Sequence, residues 1–150
     1  LVVIGIIVIL AAVVLVAIDP ATRFAEARNA QRWSECNSIL NAVLKYQVDN
    51  NGSLPTGSGG SAGDGTITTT EMVLGSTSND ANCKCTGGVA TDDCLDLSTP
   101  LVDEYLGSIP VDPNTGTSGI TRYAISKSAN GRITVKACDA ELSATISVTR

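Results

Sequence analysis

Residues 1–18 read LVVIGIIVILAAVVLVAI, apolar throughout except for Gly5 and without a single charge. A run of this length sits at the lower edge of the roughly 17–25 residues that span a bilayer as a helix. Valine and isoleucine dominate it, yet lipid leaves only a helix or a closed barrel as a way to satisfy the backbone. No barrel-type strands accompany the run, so a helix is expected. Asp19-Pro20 closes it, and helical periodicity resumes at once and continues to about Val48. Read as one helix, residues 1–50 would extend roughly 75 Å at ~1.5 Å per residue. Pro20 is its defect: without an N–H, and with a ring that clashes with the preceding turn, it predicts a kink near residues 16–19.

Behind the apolar run, about 130 residues remain, enough for one small domain with one modest core. Aromatic side chains are limited to Phe24, Trp33, Tyr46, Tyr105 and Tyr123, so that core must be built from Ile, Val, Leu and Ala. The net charge of −5 argues against a general nucleic-acid surface, which needs clustered Lys and Arg. One basic cluster exists, Arg23, Arg28 and Arg32, on the helix after Pro20. The chain has no histidine, which removes Ser-His-Asp and Cys-His catalysis and the commonest metal ligand together. Five cysteines, Cys36, Cys83, Cys85, Cys94 and Cys138, favour disulfides if the domain is exported, and the odd count leaves one over.

Along residues 20–51, Cys36, Ile39, Leu40, Val43, Leu44 and Gln47 recur at three-to-four spacing, an apolar stripe with Arg28, Arg32, Glu35, Asn41 and Lys45 on other sides. Asn50-Asn51-Gly52 supplies a left-handed stop, and Pro55 blocks a restart. Residues 52–119 are a connecting region: a Gly/Ser-rich loop at 56–66, a short helix expected at 67–74, and a polar stretch at 76–98 that holds three cysteines. One or two helical turns are expected at 100–106, before the turning path through Pro110 and Pro113. Residues 120–150 alternate as strands at 121–126, 132–138 and 144–149, with Asn130-Gly131 as a hairpin signal. Three antiparallel strands with one apolar face need a cover, and the helix stripe from Cys36 to Leu44 is the large candidate. The expected class is α+β: a long N-terminal helix laid by its C-terminal half across a small antiparallel meander.

The stretch LVVIGIIVILAAVVLVAIDPATRFAEARNAQR resembles the N-terminal assembly segment of bacterial type IV pilins and type II secretion pseudopilins. Leu54-Pro55 and Ile109-Pro110-Val111-Asp112-Pro113 are similar to further landmarks of that superfamily. The family's mature chain opens on an N-methylated residue followed closely by a glutamate, and Leu1 looks like a point just past that glutamate. The resemblance implies the type IV pilin fold and a helical homopolymer. Its core would be made by Leu1, Val2, Val3, Ile4, Gly5, Ile6, Ile7, Val8, Ile9, Leu10, Val13, Val14, Leu15 and Ile18, with Asp19 and Pro20 as the helix break. It also implies processing by a prepilin peptidase, an inner-membrane assembly machinery, residence in membrane lipid before assembly, and an extracellular filament afterwards. A major pilin is the first reading. A periplasmic pseudopilin is the second, and a monomeric membrane-anchored binding module, or a plain signal anchor, comes from a different class. No enzyme signature and no cofactor motif is present.

Arg23, Glu26, Arg28, Arg32 and Glu35 read either as a solvated helix face with intrahelical pairs or as ion pairs between subunits. A bridge from Cys83 or Cys85 to Cys94 would stiffen the loop, and one between Cys36 and Cys138 would staple helix to sheet; the connectivity stays open. Zinc is disfavoured, because Cys83-Lys84-Cys85 with Cys94 matches no common zinc spacing. Asp92, Asp93, Asp96, Asp103 and Asp112 offer oxygen ligands without a contiguous calcium loop. Asn51-Gly52-Ser53 fits the N-glycosylation pattern on an exposed turn.

Overall fold

A computed structural model describes residues 1–60, 63–85 and 92–150, and residues 15–18 by their helical backbone alone. The apolar run forms α1 (Val2–Ile18), and the polar helix forms α2 (Pro20–Asp49). Between them Asp19 stands at φ 41° and ψ 76°, a left-handed residue that breaks the backbone ladder. Pro20 takes the first position of α2, where its missing N–H costs nothing. The expected kink is therefore a break of one residue. α2 ends where the Gly52 N–H donates to the Gln47 carbonyl at 2.7 Å, with Asn51 at φ 54° and Gly52 at φ 88°. That is the left-handed stop anticipated from Asn and Gly.

The sheet has four antiparallel strands in the order β2 (Met72–Val73), β4 (Tyr123–Lys127), β5 (Ile133–Ala137) and β6 (Ser147–Thr149). A separate two-stranded ribbon pairs β1 (Ser58–Gly59) with β3 (Leu95–Asp96). The β4–β5 register places Ile125 opposite Val135, and the next pairing places Val135 opposite Val148. Residues 128–132 turn the β4–β5 hairpin, with Gly131 at φ 84°, a wider loop than the two-residue turn that Asn-Gly alone suggests. The short helix expected at 67–74 is not formed. Met72 and Val73 instead pair with Ile125 and Ala124 as an edge strand, because a brief unbroken apolar run fits a doubly buried strand as well as a helix. The helical turn expected at 100–106 begins earlier, as α3 (Ser98–Leu101).

α2 crosses β5 and β6. Cys36, Ile39, Leu40 and Val43 pack there on Tyr123, Ile125, Ile133, Val135 and Ile146, so the stripe meets the face it was expected to cover. Side chains alternate across a strand, so Ala124 and Val73 point to the other face. There they meet Cys83 and Cys94, and a short 3-10 turn at Ala81–Cys83 brings the cysteine-rich segment in as their cover. Cys83 is bonded to Cys94, and Cys85 to Cys138. Of the pairings left open by the sequence, Cys83–Cys94 is formed and Cys36–Cys138 is not. Cys138 faces the back of the sheet, while Cys36 lies free and wholly buried on the front. Loop closure over 11 and 53 residues of separation corresponds to ~3 and ~4 kcal/mol of chain entropy for the two bridges.

Candidate functional site

Two features stand apart from ordinary core packing: an apolar helix with no cover, and an ion cluster that holds the domain to the start of α2. From Val2 to Val14 every residue of α1 is exposed, including Ile4 at 64%, Ile7 at 59% and Leu10 at 59%. Leu15 and Ile18 belong to the same expected set, but their side chains lie outside the described residues. Burying one Val, Leu or Ile side chain is favourable by ~1.5–3 kcal/mol, so this surface drives association strongly whenever water is the alternative. No helix among the described residues is long and apolar enough to cross a membrane. The 17 residues of α1 extend about 25 Å, against roughly 30 Å of bilayer hydrocarbon.

The five charged residues that read either as a solvated helix face or as ion pairs between subunits divide sharply. Arg23 and Glu26 pair along the exposed helix at 2.9 Å. Arg28 reaches across to the β5–β6 turn and holds Glu141 bidentately, Nε to Oε2 at 2.7 Å and Nη2 to Oε1 at 2.6 Å. Arg32 has no exposed surface at all. Its Nε and Nη2 donate to Asp112 at 2.6 and 3.0 Å, and its Nη1 donates to Glu141 at 2.7 Å and to Asn29 Oδ1 at 3.0 Å. Glu35 accepts from Gln31 and from the buried Tyr123 hydroxyl. Arg28, Arg32 and Glu35 are therefore engaged within their own chain, and Arg23 and Glu26 are the members of the set left facing solvent.

Asp112 is 3% exposed, and its Oδ1 also accepts from the amides of Asn114 and Thr115. Thr115 then bonds Asp139, which Arg122 grips through Nε and Nη2 at 2.7 and 2.8 Å. One continuous charged chain thus runs from α2 through the loop after Pro110 to the end of β5. Four of the five aspartates that offer oxygen ligands are engaged separately. Asp112 serves Arg32, Asp93 accepts from the Asn79 amide, Asp96 from the Ser98 amide, and Asp92 pairs with Lys84. No cluster of metal-binding residues occurs among the described residues. Asn51 is exposed on the turn after α2.

The hydrogen bonds from Arg28, and then from Arg32, hold the Glu141 carboxyl down at about 2. Asp139 is lowered by Arg122, and Asp112 is lowered because Arg32 and two backbone amides outweigh the burial that opposes them. A carboxylate depressed in the folded state stabilises fully above its unfolded value, about 3.9–4.3, and loses that contribution as the pH falls toward the folded value. Stability should be flat between about pH 5 and about pH 8 and should decline below that window toward pH 2. Glu141→Gln should make the decline shallower in acid-unfolding curves followed by circular dichroism. An unchanged curve would remove Glu141 from the clamp.

Burial also pushes the Cys36 thiol up to about 12. A maleimide at neutral pH should leave the folded chain unmodified, and denaturation without reductant should release one reactive thiol. Two or more labelled sites by mass spectrometry would contradict the bridges described above. By its charge Arg32 belongs on the polar side of α2, yet it is wholly buried. The signal that it belongs to the stripe was its spacing, seven residues after Ala25 and four before Cys36, both buried.

No family model, no curated protein and no solved structure matches this chain.

Proposed function

We propose that this chain is a structural subunit of the type IV pilin kind, which polymerises through α1 into a helical filament with the domain outside. The observation that carries the proposal is the uncovered helix: residues 2–14 are exposed throughout, while the domain behind them has its own core, its own bridges and its own ion cluster. In lipid, such helices have little reason to associate, because acyl chains are as apolar as leucine. Withdrawn from lipid into water, they must bury their surface against one another, at about 25 cal/mol per Å². Head-to-tail contacts that do not close on themselves then yield an open helical polymer. The break at Asp19 lets the assembly helix and the domain helix take different directions, which a shared core and separate domains require.

The role is structural rather than catalytic, and needs neither cofactor nor metal. A surface filament is the first form of this reading; a short pseudopilus below the surface has the same assembly physics. Electron microscopy of material sheared from the source cells, with mass spectrometry of the subunit, tests it. Thin uniform fibres made of this chain support the surface filament. A chain that stays in the membrane fraction with no fibres under any condition overturns it and favours the anchored binding module.

A further inference from the structure

We infer that the groove at the C-terminal end of α2 is a binding site for an acidic oligosaccharide, a short run of sugars carrying carboxylate groups; the inference goes beyond the filament reading and does not depend on it. The pattern of ion pairing points there first. Of the ten cationic side chains, Arg23, Arg28, Arg32, Lys84, Arg122 and Lys136 are each paired with a carboxylate. The others, Lys45, Lys127, Arg132 and Arg150, have no ion pair among the described residues, and they gather at one end of the sheet. Ile133 exchanges backbone hydrogen bonds with Arg150 at 2.7 and 3.0 Å, stands opposite Lys127 in the β4–β5 register, and follows Arg132 directly. Arg150 and Lys45 then line one groove. In a chain of net charge −5, cations left unpaired in one place create a local field that favours an anionic ligand.

The groove is open, about 640 Å³ in volume, and lies between the last turns of α2, the segment after α3 and the end of β6. That size falls among the clefts that take small ligands. Leu44 and Val48 give it an apolar floor, and Val48 is 81% exposed. Tyr105 makes an aromatic wall, steadied by Tyr46, which meets it edge-on with ring centres 5.6 Å apart. Arg150 is steadied as well. Its Nη1 donates to Asn41 Oδ1 at 2.9 Å, while its Nε and Nη2 have no partner among the described residues. Two carboxylates, Asp49 and Glu104, complete the lining without forming an ion pair with Lys45 or Arg150.

Each part of the lining selects a part of the ligand. The unpaired ammonium and guanidinium groups fit carboxylates, which arginine takes bidentately. Ionised carboxylates beside them only accept hydrogen bonds, so the ligand must also carry hydroxyl donors. Leu44, Val48 and Tyr105 suit the C–H faces of sugar rings, which are apolar patches set between hydroxyls. Acidic sugars present all three kinds of group on one short repeat. A nucleic acid fits poorly: it would bring phosphates against Asp49 and Glu104, where like charges repel, and DNA has no run of hydroxyls to offer them. An acidic peptide lacks the hydroxyl array as well.

The test is titration calorimetry of the full-length, detergent-solubilised chain with trigalacturonate. The same trimer with its carboxylates reduced to alcohols, and a short single-stranded oligonucleotide, serve as comparisons. The acidic trimer should bind about tenfold more tightly than either. Lys45→Ala and Arg150→Ala should each weaken it about tenfold. Glu104→Ala separates a sugar site from a general anion site. It should weaken the trimer roughly threefold or more by removing a hydroxyl acceptor, whereas at a site for anions alone the loss of a negative charge strengthens binding. Arg23→Ala, at the opposite end of α2, should leave binding unchanged. Lys45 and Glu104 are exposed, so their variants should melt with the wild type and carry the decision even where Arg150→Ala melts lower. No binding at millimolar trimer would overturn the site. So would an oligonucleotide that binds as tightly as the trimer, a tighter trimer complex in Glu104→Ala, or an equal loss in Arg23→Ala. Fibres play no part in the measurement, so this site and the filament reading fail separately.

Discussion

Arg32→Ala is expected to destabilise the domain by ~3–5 kcal/mol, the range for removing one partner of a buried ion pair. The guanidinium has no exposed surface, and each of its nitrogens donates: two to Asp112, the third to Glu141 and Asn29. Truncation leaves the Asp112 carboxylate at 3% exposure with no cation beside it, and opens a void the size of the lost side chain. Arg32→Lys should recover only part of the loss, because a point charge cannot serve Asp112 bidentately and Glu141 at once. Denaturant unfolding of the detergent-solubilised chain gives the comparison. A change below about 1 kcal/mol for Arg32→Ala would put the pair in the class of weak surface bridges and remove it as the tie between α2 and the loop after Pro110.

Ile7→Asp should abolish fibres while leaving the domain's stability within about 0.5 kcal/mol of wild type. Ile7 is 59% exposed in the middle of α1, so it supports nothing inside the chain. In an assembled core, a carboxylate there costs on the order of 2.5–3.5 kcal/mol for each subunit, judged by insertion into an apolar medium, and the cost repeats at every subunit. Ile7→Val, which loses one methylene, should assemble almost normally. The two readouts separate the halves of the molecule: fibre counts report α1, and the melting temperature reports the domain. Normal fibres from Ile7→Asp would mean that α1 is not in contact with other subunits.

Much of this architecture was legible because hydrophobic period survives in the sequence. The stripe at Cys36, Ile39, Leu40 and Val43, and the alternation at Ile133, Val135 and Ala137, both report a single buried face, and the structure joins those two faces. The break at Pro20 was equally readable, since the residue's chemistry alone forbids a continuous ladder. What was not legible depended on partners far away in sequence. Arg32 looked polar because its neutralising groups, Asp112 and Glu141, lie 80 and 109 residues on. Met72 and Val73 looked helical because their pairing strand begins about fifty residues later, and a buried edge strand carries no alternation. The bridges Cys83–Cys94 and Cys85–Cys138 could not be chosen from spacing, because the cysteines serve the back face of a sheet whose two-sided burial only the register reveals.

The central claim is that α1 is an assembly element whose cover is supplied by other copies of itself. Helical reconstruction of fibres sheared from the source cells measures this directly. The account predicts α1 helices packed along the axis, roughly 8–10 Å apart, with the domains outside and the Arg32–Asp112–Glu141 cluster closed within each subunit. Fibres in which α1 lies on the periphery, or whose subunits join only through the domains, would contradict it.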